Sequence, residues 1–287
     1  MDATLRAAKG PSDQGNWVAH LDVQFAQREG KTKVAHSSHV GPLRIQRAFY
    51  PETNGTAHLY LLHPPGGVAG GDHLTIQIES GESTRALVTT PAATKLYRSS
   101  GPRAVVQQNL AVHKGAILEW LPQETIAYAG AQVDLKTLVH LEDDAQFIGW
   151  EILCLGRPAS GDGFEHGRIG QRFELWQNDA PLYIDRLAVG EGSSTRQAVW
   201  GMNNKSVVAT MLITTQDRGL LNLIRHVLDL VPTPLGVLGC TALRGLTLIR
   251  YLGNSVPECF SAMVRVWEAV RPVITASSAV APRIWNC

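Results

Sequence analysis

From about Trp17 to Ile213 the chain is a succession of short β-branched or alternating runs, each cut off by a cluster of glycine, proline or aspartate. This pattern constrains the fold most, because such runs are too short for helices and their two-residue period gives a strand one core face. The candidate strands are residues 57–62, 74–79, 86–90, 105–112, 116–120, 147–155, 172–176 and 182–187. No fixed repeat period links them. Helical spacing appears only late, where Leu220, Leu223, Ile224, Val227, Leu228 and Val231 recur at three and four residues until Pro232-Thr233-Pro234 stops them. A second helix is expected from Phe260, Met263, Val264, Trp267 and Val270, with Pro257 near its start and Pro272 ending it. The expected architecture is mainly β: many short strands forming a sandwich or helical β body, with two α-helices toward the C-terminal third. Residues 1–15, with Gly10-Pro11-Ser12-Asp13, read as a flexible tail ahead of a single domain over 16–287.

Composition narrows the function. Charged residues make up 18% of the chain and hydrophobic ones 44%, against a typical charged share of about 25%. Such a chain buries a large core and keeps apolar surface for partners. A formal charge of +1 and a pI near 7.8 argue against a protein that must neutralise many phosphates, whether of nucleic acid or of an anionic membrane. The start, Met1-Asp2-Ala3-Thr4-Leu5-Arg6, lacks the order of a signal peptide, so the cytoplasm is the expected location. The most apolar stretch, residues 220–252, is interrupted by Arg225, His226, Asp229, Pro232, Pro234, Arg244 and Arg250, too often for a membrane span. Cys154, Cys240, Cys259 and Cys287 lie too far apart for a metal knuckle and read as reduced thiols.

The most unusual segment is His63-Pro64-Pro65-Gly66-Gly67-Val68-Ala69-Gly70-Gly71-Asp72-His73. Four glycines and two prolines make a tight corner, and the segment has neither a P-loop ending nor dinucleotide spacing. Asp72 and His73 place a carboxylate beside an imidazole, a pair suited to a borderline divalent metal. His36 and His39 fall where no helical face exists and read as solvated loop histidines. Glu119, Glu124, Asp134, Glu151 and Asp185 lie in or beside apolar strands, where a charge needs a partner or an ion. Arg157 and Arg186 are the expected ion-pair partners. Neither HExxH, paired CxxC nor Gly-x-Ser-x-Gly occurs; Ser160 reads as a loop hydroxyl and Cys154 as an inert core thiol. A hydrolase or transferase using Asp72 or His73 as general base at the glycine-rich turn is the rival reading, and a self-assembling structural protein a third. The Phe260, Met263 and Trp267 stripe reads as core, with an apolar anchor for a partner as its alternative.

Longer irregular words in the sequence resemble those of one protein family. They include Gly41-Pro42-Leu43-Arg44-Ile45-Gln46-Arg47 with Phe49-Tyr50-Pro51-Glu52, the His63 to Asp72 segment, and Thr89-Thr90-Pro91-Ala92-Ala93-Thr94-Lys95-Leu96-Tyr97-Arg98-Ser99. Glu119-Trp120-Leu121-Pro122-Gln123-Glu124-Thr125-Ile126, Gly149-Trp150-Glu151 and Gly156-Arg157-Pro158-Ala159-Ser160-Gly161 follow in the same order. The resemblance thins after Arg186 and returns at Leu243-Arg244-Gly245 and Pro282-Arg283-Ile284-Trp285. It departs at Cys287, where a polar residue is expected, and over residues 189–205. The family that the chain resembles is the urease accessory protein UreD, also called UreH, and what the resemblance implies is a largely β, non-catalytic scaffold that binds apo-urease and the accessory proteins UreF and UreG. The resemblance also implies help with nickel delivery through an internal polar passage, with no tightly bound cofactor and nickel only in transit. A conduit must hold an ion loosely at successive sites. Asp72, His73, Glu119, Glu124, Glu151 and Asp185 are then the expected nickel-path residues, Asp72 first among them.

Overall fold

The computed structural model describes residues 16–215, 217 and 219–286; the tail expected over residues 1–15, and Cys287, lie outside the described residues. The chain opens with a hairpin, β1 (Val18–Arg28) and β2 (Lys31–Val40), followed by the short β3 (Arg44–Ile45). It then winds in coils of three strands each. The first is β4 (Ala57–Leu62), β5 (Gly67–Val68) and β6 (His73–Ser80); the second is β7 (Arg85–Thr89), β8 (Thr94–Leu96) and β9 (Ala104–Val112). The third is β10 (Ile117–Trp120), β11 (Thr125–Ala127) and β12 (Gln132–Leu141), and β13 (Gln146–Leu155) with β14 (Arg168–Gln177) completes a fourth.

Each strand pairs in parallel with its counterpart in the next coil: β4, β7, β10 and β13 form one ladder and β6, β9, β12 and β14 another. Between them β5, β8, β11 and the end of β13 make a narrow third face. The expected β body is thus a parallel solenoid. No period is visible in the sequence because the coils differ in length: paired residues His73, Val105, Asp134 and Gly170 lie 32, 29 and 36 positions apart.

Antiparallel strands close the ladders. β1 joins β6 in parallel and carries β2 outside it, while β15 (Ala180–Gly190) folds back on β14, giving a seven-stranded sheet. The other sheet continues from β13 through β16 (Val207–Thr214) to a hairpin, β18 (Leu246–Gly253) with β17 (Gly236–Leu243) at its edge. This hairpin lies beyond the expected end of the strands, in a stretch too apolar and glycine-rich to show clear alternation. His36 and His39 are exposed as expected, but on β2 rather than in a loop.

Two apolar layers result. Leu21, Val23, Leu74, Ile78, Leu110, Val139 and Phe173 fill the space between the sheets. Helices α1 (Gly219–Leu230) and α2 (Val256–Thr275) cover the outer face of the second sheet, against Ile148, Trp150, Ile213 and Tyr251. Residues of β13 serve both layers, which is why it reads as a nearly continuous apolar run. Ser255 caps α2, its hydroxyl accepting from the Glu258 N–H. Pro272 does not end α2: it sits one turn inside, and the helix stops after Thr275, where Ala276 turns left-handed with φ 55°. The Phe260, Met263 and Trp267 stripe packs into this layer as core. No helix among the described residues is long and apolar enough to cross a membrane.

Candidate functional site

Side chains alternate along every strand, so the inner column of β9 reads Val106, Gln108, Leu110, that of β12 reads Leu135, Thr137, Val139, and that of β14 reads Ile169, Gln171, Phe173. Each apolar column therefore has one polar interruption. Gln108 and Thr137 are direct partners across the ladder, and Glu151 faces them from β13. Thr137 Oγ1 donates to Gln108 Oε1 at 2.7 Å and is also bonded to Glu151 Oε1, while Gln171 Nε2 donates to Glu151 Oε2 at 2.6 Å. A hydroxyl has one proton, and an amide oxygen only accepts. In this orientation of the Gln108 amide the Glu151 carboxyl, in its acid form, donates to Thr137.

Burial acts in the same direction. It raises the Glu151 carboxyl, the Thr137 and Gln171 bonds pull it partly back, and the nearby Asp185 charge raises it again, leaving it pushed up to about 7. No cation among the described residues is bonded to it. What surface Glu151 keeps faces two cavities between the sheets, one of about 210 Å³ and one of about 340 Å³, and only Glu151 and Gln171 line both. The first runs along Leu74, Val106 and Trp120 toward His63 and the Gly66-Gly67 corner. The second reaches Asp185, Arg250 and the exposed Trp200. Asp185 Oδ2 there accepts from Arg250 Nη2 and Tyr183 Oη, both at 2.9 Å.

The other residues singled out in the sequence lie elsewhere. Asp72 is 2% exposed, with Oδ1 accepting from the Trp17 N–H and Oδ2 from the Ala69 N–H, each at 2.8 Å. It organises the glycine-rich corner, where Gly71 takes φ 87°. Both Asp72 oxygens are engaged by backbone N–H donors, which gives the carboxylate a structural task in the corner. His73 points outward at the start of β6. Glu124 is half-buried near Cys154 and Cys259: burial and then the Glu124 charge push the Cys154 thiol up to about 11, and burial, then Glu258, then Glu124 push up that of Cys259. Asp134 pairs at the surface with Arg103, at 2.8 Å. Arg157 bonds the exposed Asp162, and no ion pair of Arg186 appears among the described residues; the cations that the inner carboxylates use are Arg250 and Arg271.

Glu119 faces the helix layer instead. Its carboxylate accepts from Trp267 Nε1 at 2.6 Å and from Arg271 Nε at 3.0 and 3.1 Å. Arg271 Nη2 reaches Glu52 Oε1 at 2.7 Å, and His58 Nε2 donates to the same oxygen at 2.7 Å. All five side chains are almost fully buried. Burial raises the Glu52 carboxyl, but the bonds from His58 and Arg271 outweigh it and leave it below its ordinary value. This network fastens α2 to β4 and β10. Beside it Trp285 packs on Trp150, Phe260 and Trp267 and donates from Nε1 to Thr89 Oγ1 at 3.0 Å.

The model of the UreD urease accessory protein family matches residues 18–286. The chain belongs to this family. Urease accessory protein UreD of Klebsiella aerogenes is 42% identical over 278 residues, covering 96% of this chain and 98% of that protein. Urease accessory protein UreD of Saccharophagus degradans is 39% identical over 288 residues, covering 99% and 97%; that of Alcanivorax borkumensis is 41% identical over 283 residues, covering 97% and 95%. As a UreD family member the chain acts in urease maturation as an accessory protein and is not an enzyme, which removes the hydrolase or transferase reading. Among the described residues no group of three or more His, Cys, Asp or Glu is arranged to hold a metal ion.

Sequence reasoning missed three groups in this UreD fold. His63 lies within the quoted corner, and its signal was the two prolines that follow it and hold its strand end in place. Arg271 was hidden inside an amphipathic helix, where an arginine passes for solvated. The polar interruptions Gln108, Thr137 and Gln171 were visible as breaks in alternation but carry no charge.

Proposed function

We propose that the chain is a maturation scaffold that binds apo-urease together with UreF and UreG and passes nickel through its interior toward the urease active site. The observation that carries this reading is the junction at Glu151: a protonatable carboxyl without a cation, inside the solenoid, shared by the walls of two cavities. An arriving divalent cation supplies the charge that burial withholds, and it binds as the carboxyl releases its proton to solvent in the cavity. Neutral threonine and glutamine groups around it offer weak oxygen contacts, so the ion is held without being trapped. Asp185, at the second cavity, is the next group on this path. Its pairing with Arg250 leaves it less negative than a free carboxylate, which suits a mouth that must release its ion. Asp72, His73, Glu119 and Glu124 do not line either cavity and take no part in it.

The test is the nickel content of urease matured with the complete set of accessory proteins and Glu151→Gln in place of the native chain. Gln keeps the size and the neutral hydrogen bonds but cannot bind a cation by charge. Nickel content is expected to fall about tenfold or more while the variant still assembles with its partners. Fully loaded urease from Glu151→Gln overturns the passage.

A further inference from the structure

The passage reading leaves one polar group unused. His63 lines the first cavity, and its ring atom Nε2 is buried without a hydrogen-bond partner. An orphaned imidazole nitrogen is costly, since burial removes its water without supplying a replacement. The structure holds it there nonetheless: the Gly66 N–H bonds back to the His63 carbonyl, and Pro64 and Pro65 limit the backbone. Burial keeps the ring below its ordinary pKa, partly offset by the Asp72 charge, so it is neutral at neutral pH with a lone pair to offer.

His63 is also chemically distinct among the described residues that line the two cavities: it is their one imidazole, and none of them is a cysteine. Apart from the Met202 thioether at the second cavity, and lysine and arginine groups that only donate hydrogen bonds, the other polar groups offer oxygen, from Glu151, Asp185, threonine, glutamine or the backbone. Oxygen donors discriminate nickel from magnesium less than nitrogen donors do. Imidazole does so more strongly, because it suits borderline d-block ions and is a poor ligand for hard ones. The carboxylate–imidazole pair expected at Asp72 and His73 is realised differently, with Asp72 beside His63 and His73 turned to solvent.

We propose that His63 selects the cargo: its imidazole, left without a protein partner on the cavity wall, engages a borderline d-block cation in transit and passes over hard ions such as magnesium. This rests on the passage reading. A single nitrogen ligand gives preference without capture, as transit requires.

The experiment uses the full chain in its assembled accessory complex. Nickel content of matured urease is measured at fixed Ni²⁺ with rising Mg²⁺, for the native chain, His63→Asn, Glu151→Gln and, as a control, His73→Asn. The complex is also titrated with Co²⁺, whose visible absorption reports nitrogen ligation. His63→Asn is expected to lower the preference for nickel about tenfold and to remove the nitrogen-ligated Co²⁺ band, with His73→Asn unchanged. An unaltered preference and an unaltered band overturn the assignment. If Glu151→Gln blocks delivery while His63→Asn selects normally, the passage stands and selection at His63 falls. If Glu151→Gln delivers nickel in full, the passage itself falls. Should His63→Asn not fold, NMR of the native complex decides: Co²⁺ must shift the His63 ring protons, and their constancy overturns the proposal.

Discussion

The two layers of the molecule each bury a glutamate in an apolar strand, and they neutralise it in opposite ways. Between the second sheet and the helices, Glu119 has a permanent cation in Arg271, fixed by Glu52, Trp267 and the Ser278 carbonyl. Between the sheets, Glu151 has only neutral partners, Thr137 and Gln171, and keeps its proton. A carboxylate sealed in with its own buried cation is structural, because the charge it could offer an incoming ion is already neutralised; the partly exposed Asp185 and Arg250 pair is not sealed in this way. A carboxyl neutralised by a proton alone can exchange that proton. The difference separates a fastening from a site.

The sharpest way to break this comparison is to remove the cation. Arg271→Met should destabilise the fold by about 3–5 kcal/mol, because Glu119 and Glu52 are left buried and unpaired; chemical denaturation measures it. Adding Glu119→Gln should recover part of the loss, and simple additivity of the two changes would show that they are not coupled.

Glu151→Gln should have the opposite sign and depend on pH. The folded-state pKa of about 7 lies above the ordinary 4.5, so the neutral acid favours the fold below pH 4.5 and that advantage is lost as pH rises to about 7. Above pH 7 the native chain pays about 3 kcal/mol to keep Glu151 ionised or to protonate it. The variant is therefore expected to be more stable at pH 8 by about that amount and indistinguishable near pH 4.5. A constant difference across the range would mean that Glu151 does not hold its proton.

Smaller effects calibrate the two layers. Trp285→Ala opens the aromatic cluster of the helix layer and should cost about 2 kcal/mol in thermal or denaturant unfolding, without changing the pH profile set by Glu151. Arg103→Ala removes the surface pair with Asp134, whose side chains are 38% and 42% exposed, and should change stability by less than about 0.5 kcal/mol. A large effect there would mean that burial is not what distinguishes these ion pairs.

Much of the fold was legible locally. The run at 57–62 is β4, and that at 147–155 is β13 short of one residue, because alternation and β-branching report directly on a strand with a buried face. The helices were legible too, but Pro272 was not their end: near a C-terminus the ring displaces one hydrogen bond, and the packing of Val270 and Arg271 carries the helix past it. The hairpin of β17 and β18 went unseen since Gly236-Val237-Leu238-Gly239-Cys240 alternates by exposure and not by polarity.

By itself the sequence determined that strands dominate, where most of them lie, the family to which the words belong, and that both Glu119 and Glu151 stand beside a tryptophan in an apolar strand. It could not separate these two glutamates. Only the tertiary structure did so, through the register of the solenoid: β10 pairs with β13 so that Glu119 lies opposite Ile148, three positions from Glu151. An odd offset puts two side chains on opposite faces of a sheet. One glutamate therefore meets the arginine of a helix that arrives 152 residues later, and the other meets the cavities.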